Sequence, residues 1–237
     1  MSGAPEASGG EQPKAAKPKR AVYCDVDGTI AKTTIVTPLL WYKRTCASPL
    51  DCAIFYLLLP LRGPFWLLLD KISRDASNRA IYMHYRGLRA EDIEAEAWTC
   101  YARSIKPRLF PKALARLKQF RADGYRLVLV TGGIDILMRP LAVELGGAEV
   151  IAPSLGSQNG ILTGALQSSP LVGERKANAI HAHAEENGID LAESYAMGDA
   201  LGDLAMLECV GHPIAVNAGK RLAAVAKQRG WPCEQWR

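Results

Sequence analysis

The sequence predicts an α/β fold: a Rossmann-like parallel sheet of about five strands, with helices on both faces and a mostly helical cap inserted after the first strand. Short apolar runs of strand length alternate with longer segments of helical periodicity, which is typical of parallel sheets with helical crossovers. Residues 33–105 break this alternation. We therefore divide the chain into a leader (1–19), a core (20–32 and 106–237) and a cap (33–105).

The first strand follows a polar leader. Residues 1–19 are rich in Gly, Ala, Ser, Pro, Glu and Lys and lack a central apolar stretch, so we expect a disordered leader rather than a secretory signal. The apolar run that follows predicts a buried strand that ends at Asp25 and Asp27, directly before Gly28 and Thr29. Taken alone, this segment also fits a plain Asp/Gly turn after a strand.

The predicted cap contains an unusual apolar run. Helices are expected to begin at 37–42 and to occupy 90–105. Between them, residues 53–69 are apolar on all sides and are interrupted by the Pro-Leu-Arg-Gly-Pro segment at 60–64. Two prolines around a glycine predict a bend that divides the run into two half-segments.

Three interpretations of the run at 53–69 stay open. The favoured one is a buried helical hairpin. The second is peripheral contact with a membrane. The third is a membrane-spanning helix, which needs about 20 apolar residues. Such a helix would hold the charge of Arg62 near the centre of the bilayer, which is energetically costly.

The remaining segments predict the core. Helices are expected at 111–122, 136–145 (kinked at Pro140), 174–187, 203–209 and 220–229, and strands at 126–130, 148–152, 194–197 and 213–216. Asn159 and Gly160 predict a hairpin turn between Leu155 and Leu162.

Composition narrows the class of protein. The 237-residue chain is 49% hydrophobic with a formal net charge of +5, which is an ordinary globular balance and gives no sign of nucleic-acid recognition beyond a short basic leader. Its six cysteines lack C-x-x-C spacing, so we expect reduced thiols rather than zinc ligands or disulfides. We expect a cytoplasmic location, with membrane association through 53–69 as the open alternative.

Polar groups follow four of the predicted strands. Because the carboxyl ends of parallel strands meet at one edge of a sheet, we expect these groups to gather there together with Lys176, which opens a helix. The groups that follow the strands are Asp25, Asp27, Thr131, Asp199, Asp203 and Asn217. Each also has an ordinary interpretation: a helix cap for Thr131, a turn residue for Asp199, a surface lysine for Lys176.

Taken together, these residue types suit phosphoryl transfer. Carboxylate oxygens from neighbouring strand ends form a hard-oxygen site fit for Mg²⁺. Thr131, the Gly132 amide and Lys176 are suited to hold phosphate oxygens. One aspartate can act as a covalent nucleophile, and the aspartate two residues later can protonate the leaving oxygen and then activate water.

The sequence resembles the haloacid dehalogenase superfamily, subfamily IB, close to its phosphoserine-phosphatase-like branch. All four family motifs occur in order. They are Asp-Val-Asp-Gly-Thr at 25–29, Val-Thr-Gly-Gly at 130–133, Lys176 within Gly-Glu-Arg-Lys-Ala, and Gly-Asp-Ala-Leu-Gly-Asp-Leu at 198–204.

The resemblance implies a role for each motif residue. Asp25 would be the nucleophile and a Mg²⁺ ligand, and Asp27 the acid/base, with its backbone carbonyl on the metal. Asp199 would bind Mg²⁺ directly, and Asp203 would support the metal site. The phosphoryl group would be held by Thr131, Gly132 and Lys176, while Asn217 is a weaker match that shapes its loop.

Two departures bear on the substrate. Gly202 stands where phosphoserine phosphatases usually carry an asparagine, and the insert is longer and richer in leucine than their cap. We therefore expect a Mg²⁺-dependent phosphomonoester hydrolase that acts on an amphiphilic or lipid phosphate, such as a phosphatidylglycerophosphate or a lysophosphatidate. The alternatives are a phosphatase for phosphoserine or another small metabolite, a phosphotransferase, and a catalytically silent membrane-associated module.

Overall fold

A six-stranded parallel sheet forms the centre of the protein, which we describe over residues 19–237 of a computed structural model. The strand order is β3-β2-β1-β6-β7-β8. The strands are β1 (Ala21–Cys24), β2 (Arg126–Val130), β3 (Glu149–Ile151), β6 (Tyr195–Gly198), β7 (His212–Val216) and β8 (Cys233–Glu234). The five predicted strands are all present; the edge strand β8, only two residues long, was not predicted.

Helices cover both faces of this sheet, as predicted. Alternate side chains of β1 point to opposite faces, so Val22 and Cys24 join one apolar cluster and Tyr23 joins the other. The first cluster includes α6 (Pro111–Ala122) and α7 (Asp135–Glu144). The second includes the remaining core helices, which are α8 (Glu174–Asn187), α9 (Leu204–Glu208) and α10 (Lys220–Arg229).

The segment between β1 and α6 is helical. It contains α1 (Val36–Thr45), α2 (Pro49–Ile72), α3 (Arg74–Tyr82), α4 (Ala90–Ala95) and α5 (Ala97–Cys100). The helix predicted over 90–105 is therefore divided, and its last part, Tyr101–Ile105, is a π-helical turn. We call Val36–Ile105 the helical cap.

An antiparallel hairpin joins the helical cap from later in the chain. Strands β4 (Leu155–Gln158) and β5 (Ile161–Leu166) meet at the predicted turn, where Asn159 and Gly160 have φ values of 51° and 76°. Three backbone hydrogen bonds, 2.8 to 2.9 Å long, connect residues 87–90 of the cap to residues 160–162 of the hairpin.

The prediction of a bent, buried hairpin at 53–69 was wrong. Helix α2 is continuous over 24 residues and contains both Pro60 and Pro64. Both prolines are exposed and lie away from the side of α2 that packs on the protein, so their rings disturb no packed surface. Only Phe55 and Trp66 are buried. By length and composition α2 is sufficient to cross a membrane, and 11% of its apolar window is buried in the protein.

No disulfide joins the six cysteines, all of which lie within residues 19–237, and Cys24 and Cys100 are buried in the interior.

Candidate active site

The first motif lies in a tight turn at the end of β1. The backbone N–H of Asp25 donates to the carbonyl of Met197, which extends the pairing of β1 with β6 by one residue, to Asp25. Gly28 has a φ of 90° and its N–H donates to Ala31 O at 2.8 Å. The turn therefore presents Asp25 and Asp27 at the carboxyl edge of the sheet.

Lys176 lies between two buried carboxylates. It is in the first turn of α8, and its Nζ is 2.5 Å from Asp25 Oδ1 and 2.8 Å from Asp203 Oδ1. The side chains of Lys176, Asp25 and Asp203 are 5%, 8% and 7% exposed. The lysine therefore offsets the repulsion between the two carboxylates.

Three carboxylates form a cluster suited to a hard cation. Oxygens of Asp25, Asp199 and Asp203 all lie within 4.8 Å of one another. Such a donor set fits Mg²⁺, which prefers oxygen ligands. The Asp27 carboxylate is not part of this cluster and instead accepts a hydrogen bond from Thr33 Oγ1 at 2.6 Å. This leaves only the Asp27 backbone carbonyl for the metal role predicted for that residue.

Gly28 makes room for Asp199. An ideal Cβ placed on Gly28 would be 2.1 Å from Asp199 Oδ2. The glycine is thus required both by its positive φ and by the close approach of the fourth motif to the first.

Burial raises the pKa of the site carboxyls. The pKa of Asp25 is raised to about 7 by desolvation, against the effect of Lys176 and with a further contribution from Asp203. Desolvation, together with Asp203, raises the pKa of Asp199 to about 6. The pKa of Asp27 is also raised by burial, although the Thr33 hydrogen bond opposes this. Burial would lower the pKa of Lys176, but Asp203 and Asp25 outweigh it and raise that pKa.

The second motif places Thr131 and Gly132 at the end of β2. Thr131 is 1% exposed, and its Oγ1 accepts a hydrogen bond from Gly133 N at 3.0 Å. Its hydroxyl hydrogen stays available for a phosphate oxygen. The Gly132 carbonyl accepts a hydrogen bond from Tyr82 of α3, so the cap touches the site at this point.

Asn217 organises the loop rather than the reacting groups. Its φ of 49° is in the left-handed region, and its Nδ2 donates to Gly28 O at 2.9 Å. Its Oδ1 accepts from Trp236 N at 2.8 Å. These contacts fit the shaping role suggested for it.

Sequence reasoning missed several neighbours of the site. Thr29 Oγ1 donates to Asp25 Oδ2 at 3.3 Å, and Thr33 holds Asp27; their closeness to the first motif was an available signal. Tyr82 and Arg74 come from the cap. An ideal Cβ on Gly202 would be 3.3 Å from Arg74 Nη1, so Arg74 fills the space that the missing side chain leaves. No local pattern marks either residue.

A pocket beside Asp27 is mainly apolar. It is lined by the turn after β1, by the chain that enters the cap and α1, and by the segment after β2, with Thr33 and Thr34 as further polar neighbours. Its apolar lining includes Val26, Ile35, Pro38, Ile134, Leu137 and Met138.

Fold and site together define a hydrolase of the haloacid dehalogenase type. The haloacid dehalogenase-like hydrolase family model matches residues 22–208, and the chain belongs to this family. Its relatives include phosphoserine phosphatase SerB1 of Mycobacterium tuberculosis, 33% identical over 179 residues, which cover 74% of this chain and 58% of that protein. A probable phosphatase of the same organism is 33% identical over 128 residues, which cover 54% of this chain and 44% of the relative. The chain thus spans about half the length of these curated relatives.

Solved structures share the fold. A protein of unknown function from Bordetella pertussis superposes with a TM-score of 0.78 at 22% identity, covering 93% of this chain and all of that one (100%). A phosphoserine phosphatase in its apo form gives a TM-score of 0.65 at 20% identity, covering 92% of this chain and 94% of that one. These similarities support the predicted architecture.

Proposed function

We propose that this chain is a Mg²⁺-dependent phosphomonoesterase that forms a phosphoenzyme on Asp25. The observation that carries the proposal is the buried arrangement of Asp25, Lys176 and Asp203, with Asp199 beside them. A bound Mg²⁺ would be held by Asp25 and Asp199, with support from Asp203, and would neutralise charge on the substrate phosphate.

Asp25 is the nucleophile in this proposal. Lys176 engages Oδ1, and Thr29 donates to Oδ2 through a longer hydrogen bond of 3.3 Å. An Asp25 oxygen forms a bond to phosphorus as the bond between phosphorus and the substrate alcohol breaks. Thr131, the Gly132 amide and Lys176 hold the non-bridging oxygens.

Asp27 carries the proton. Its carboxyl group is held by Thr33 at 2.6 Å and is not part of the cluster of Asp25, Asp199 and Asp203. It donates a proton to the departing alkoxide oxygen. It then accepts a proton from water, which attacks phosphorus, releases phosphate and regenerates Asp25.

An amphiphilic phosphate is the proposed substrate. The leaving group must lie next to Asp27, where the nearby side chains are mainly apolar. The cavity there has a volume of about 10 Å³, enough for a single water, so the cap must move away from the sheet before an amphiphilic leaving group can enter. Arg74, about half exposed at the mouth of the site, supplies a cation for a second anionic group. The second candidate is phosphoserine, which the name of the SerB1 relative favours.

Phosphate release tests the reaction and the substrate together. The panel holds phosphoserine, small sugar phosphates, lysophosphatidate, phosphatidate and phosphatidylglycerophosphate, each with Mg²⁺ and with a chelator. A lipid preference would support the proposed substrate, and a phosphoserine preference would replace it. Adding acceptor alcohols and measuring new phosphoesters separates hydrolysis from phosphotransfer.

Two variants test the mechanism. Asp25→Asn should abolish turnover, and Asp27→Asn should slow it and accumulate a phosphorylated chain detectable by intact mass. Asp123→Asn, on an exposed carboxylate at the end of α6, is the matched control and should keep full activity. Turnover by Asp25→Asn at the parent rate would refute the proposal, and absence of turnover by the parent on every substrate would favour the silent module.

A further inference from the structure

Helix α2 has an apolar outer face that no part of residues 19–237 covers. Its protein-facing side is anchored by Phe55 and Trp66. The opposite side carries large apolar residues at spacings of three and four, which form one continuous stripe. This outer stripe consists of Ile54, Leu57, Leu61, Phe65, Leu68 and Ile72.

The exposure of this stripe is unusual for a protein surface. Leu57, Leu61 and Ile72 are 78%, 73% and 76% exposed. Contiguous apolar surfaces of this length mark a site of interaction with a partner or a membrane.

The charges of α2 are arranged to leave the outer stripe neutral. Asp51 is paired with Lys43 at 2.6 Å, and Asp70 with Arg74 at 3.6 Å. Arg62, the only charged residue between the two aspartates, turns towards the protein, where it donates to Phe55 O at 3.3 Å and lies over the Phe55 ring. The charge that would oppose insertion into lipid is therefore withdrawn from the outer face.

Two exposed cations lie close in sequence to the two ends of α2. Arg44 is in the last turn of α1, which precedes α2, and Lys71 is in the last turn of α2. Within residues 19–237, neither has a carboxylate within 4.0 Å. A helix with an apolar outer face and a free cation near each end is complementary to a bilayer with anionic headgroups.

The anchors fix the direction of the helix. The Phe55 and Trp66 rings both pack on His84 of the cap, at centroid distances of 5.4 and 5.3 Å. These anchors are eleven residues apart, so about 16 Å of α2 lies between its two points of attachment to the rest of the cap. Ser77 of α3 also donates to Trp66 O at 3.2 Å. These contacts hold one side of α2 against the rest of the protein and leave the outer stripe free to meet a bilayer surface along its length.

We propose that the outer stripe of α2 lies in the interfacial layer of a membrane that contains anionic lipid, with the helix axis in the membrane plane. Helix α2 continues through Ser73 into α3, and Tyr82 of α3 contacts Gly132 of the candidate active site. Membrane contact therefore holds the mouth of that site close to the lipid surface.

Vesicle co-sedimentation of the full chain tests this proposal. Vesicles of phosphatidylcholine alone are compared with vesicles that also contain phosphatidylglycerol. The parent should bind the anionic vesicles. The triple variant Leu57→Glu, Leu61→Glu and Leu68→Glu should bind more than about a hundredfold more weakly, because three apolar side chains no longer leave water.

Matched variants separate the effect of position from that of charge. Val143→Glu places a glutamate on an exposed apolar residue of α7, 58% exposed, and should bind like the parent. Arg44→Ala with Lys71→Ala should reduce the preference for anionic vesicles by roughly tenfold or more. The single variant Leu61→Glu repeats the test if the triple variant does not fold, as judged by circular dichroism.

Several outcomes would overturn the proposal. One is undiminished binding by the glutamate variants. Another is a parent protein that is a dimer by light scattering and does not bind vesicles, together with a triple variant that is a monomer. The outer stripe would then be covered by a second copy of the chain. Retention on vesicles after alkaline carbonate extraction would indicate a spanning helix. Asp25→Asn should bind like the parent, so loss of turnover and loss of membrane binding are measured separately.

Discussion

Replacing Gly28 with alanine should disable the carboxylate cluster while leaving the sheet intact. The new Cβ would lie 2.1 Å from Asp199 Oδ2, and real contacts below 3.0 Å are essentially not observed, so the Asp199 carboxylate must move by about 1 Å. A misplacement of that size costs about a hundredfold in rate at a catalytic site. The φ of 90° adds about 1–3 kcal/mol of backbone strain.

Gly124→Ala is the control for strain. Gly124 has a φ of 85°, and nothing lies within 4 Å of an added Cβ. In urea unfolding, Gly124→Ala should lose the strain energy alone and Gly28→Ala at least as much, because it also displaces Asp199. Only Gly28→Ala should lose Mg²⁺-dependent phosphate release and the rise in melting temperature expected when Mg²⁺ is added to the parent. If Gly28→Ala kept both within a few-fold of Gly124→Ala, the inferred contact between the first and fourth motifs would be wrong.

Three further predictions follow from other contacts. Lys176→Met should cost about 3–5 kcal/mol in urea unfolding at neutral pH, because it leaves buried carboxylates facing each other; a change below about 1 kcal/mol would contradict this. Arg74→Ala should raise KM for substrates with a second anionic group more than it lowers kcat, and Arg74→Lys should restore part of the loss. An equal rise in KM for singly anionic substrates would show that Arg74 does not bind the second anionic group. Desolvation, with help from Arg62 and Lys43, lowers the pKa of His84 to about 4 from 6.5. The half-buried, neutral His84 side chain therefore contributes fully to the free energy of unfolding above pH 6.5, and this contribution is lost as the pH falls towards 4. The same pH dependence in His84→Gln would show that His84 is not its source.

The core was predictable because its signals are local. A buried parallel strand appears as an apolar run, and its carboxyl end appears as the polar residue that follows, so Asp25, Thr131 and Asp199 could be placed at one edge without coordinates. Strand β8 could not, because two residues, Cys233 and Glu234, carry no pattern and are held by pairing with β7.

The cap was harder to predict because its contacts are tertiary. Composition showed that 53–69 is apolar, but whether a helix buries its surface depends on what packs against it. The local cost of two prolines, about 3 kcal/mol each in a packed helix interior, argued for a break, but both prolines lie outside the packed face. For the same reason Tyr82 and Arg74 could not be assigned to the site from the sequence.

The hydrogen bonds between the hairpin and the cap affect how a substrate can enter. Leu162 exchanges backbone hydrogen bonds with Gly87 and Leu88, and Gly160 accepts one from Ala90. A cap that lifts from the sheet must carry β4 and β5 with it or break these bonds. The cap and the hairpin together are joined to the sheet by four connecting segments, at 32–35, 105–110, 151–155 and 166–173, whereas the cap alone would be joined only by the first two. Four tethers restrict twisting and favour a tilt about one axis, so the site should open as a narrow slot on a single side.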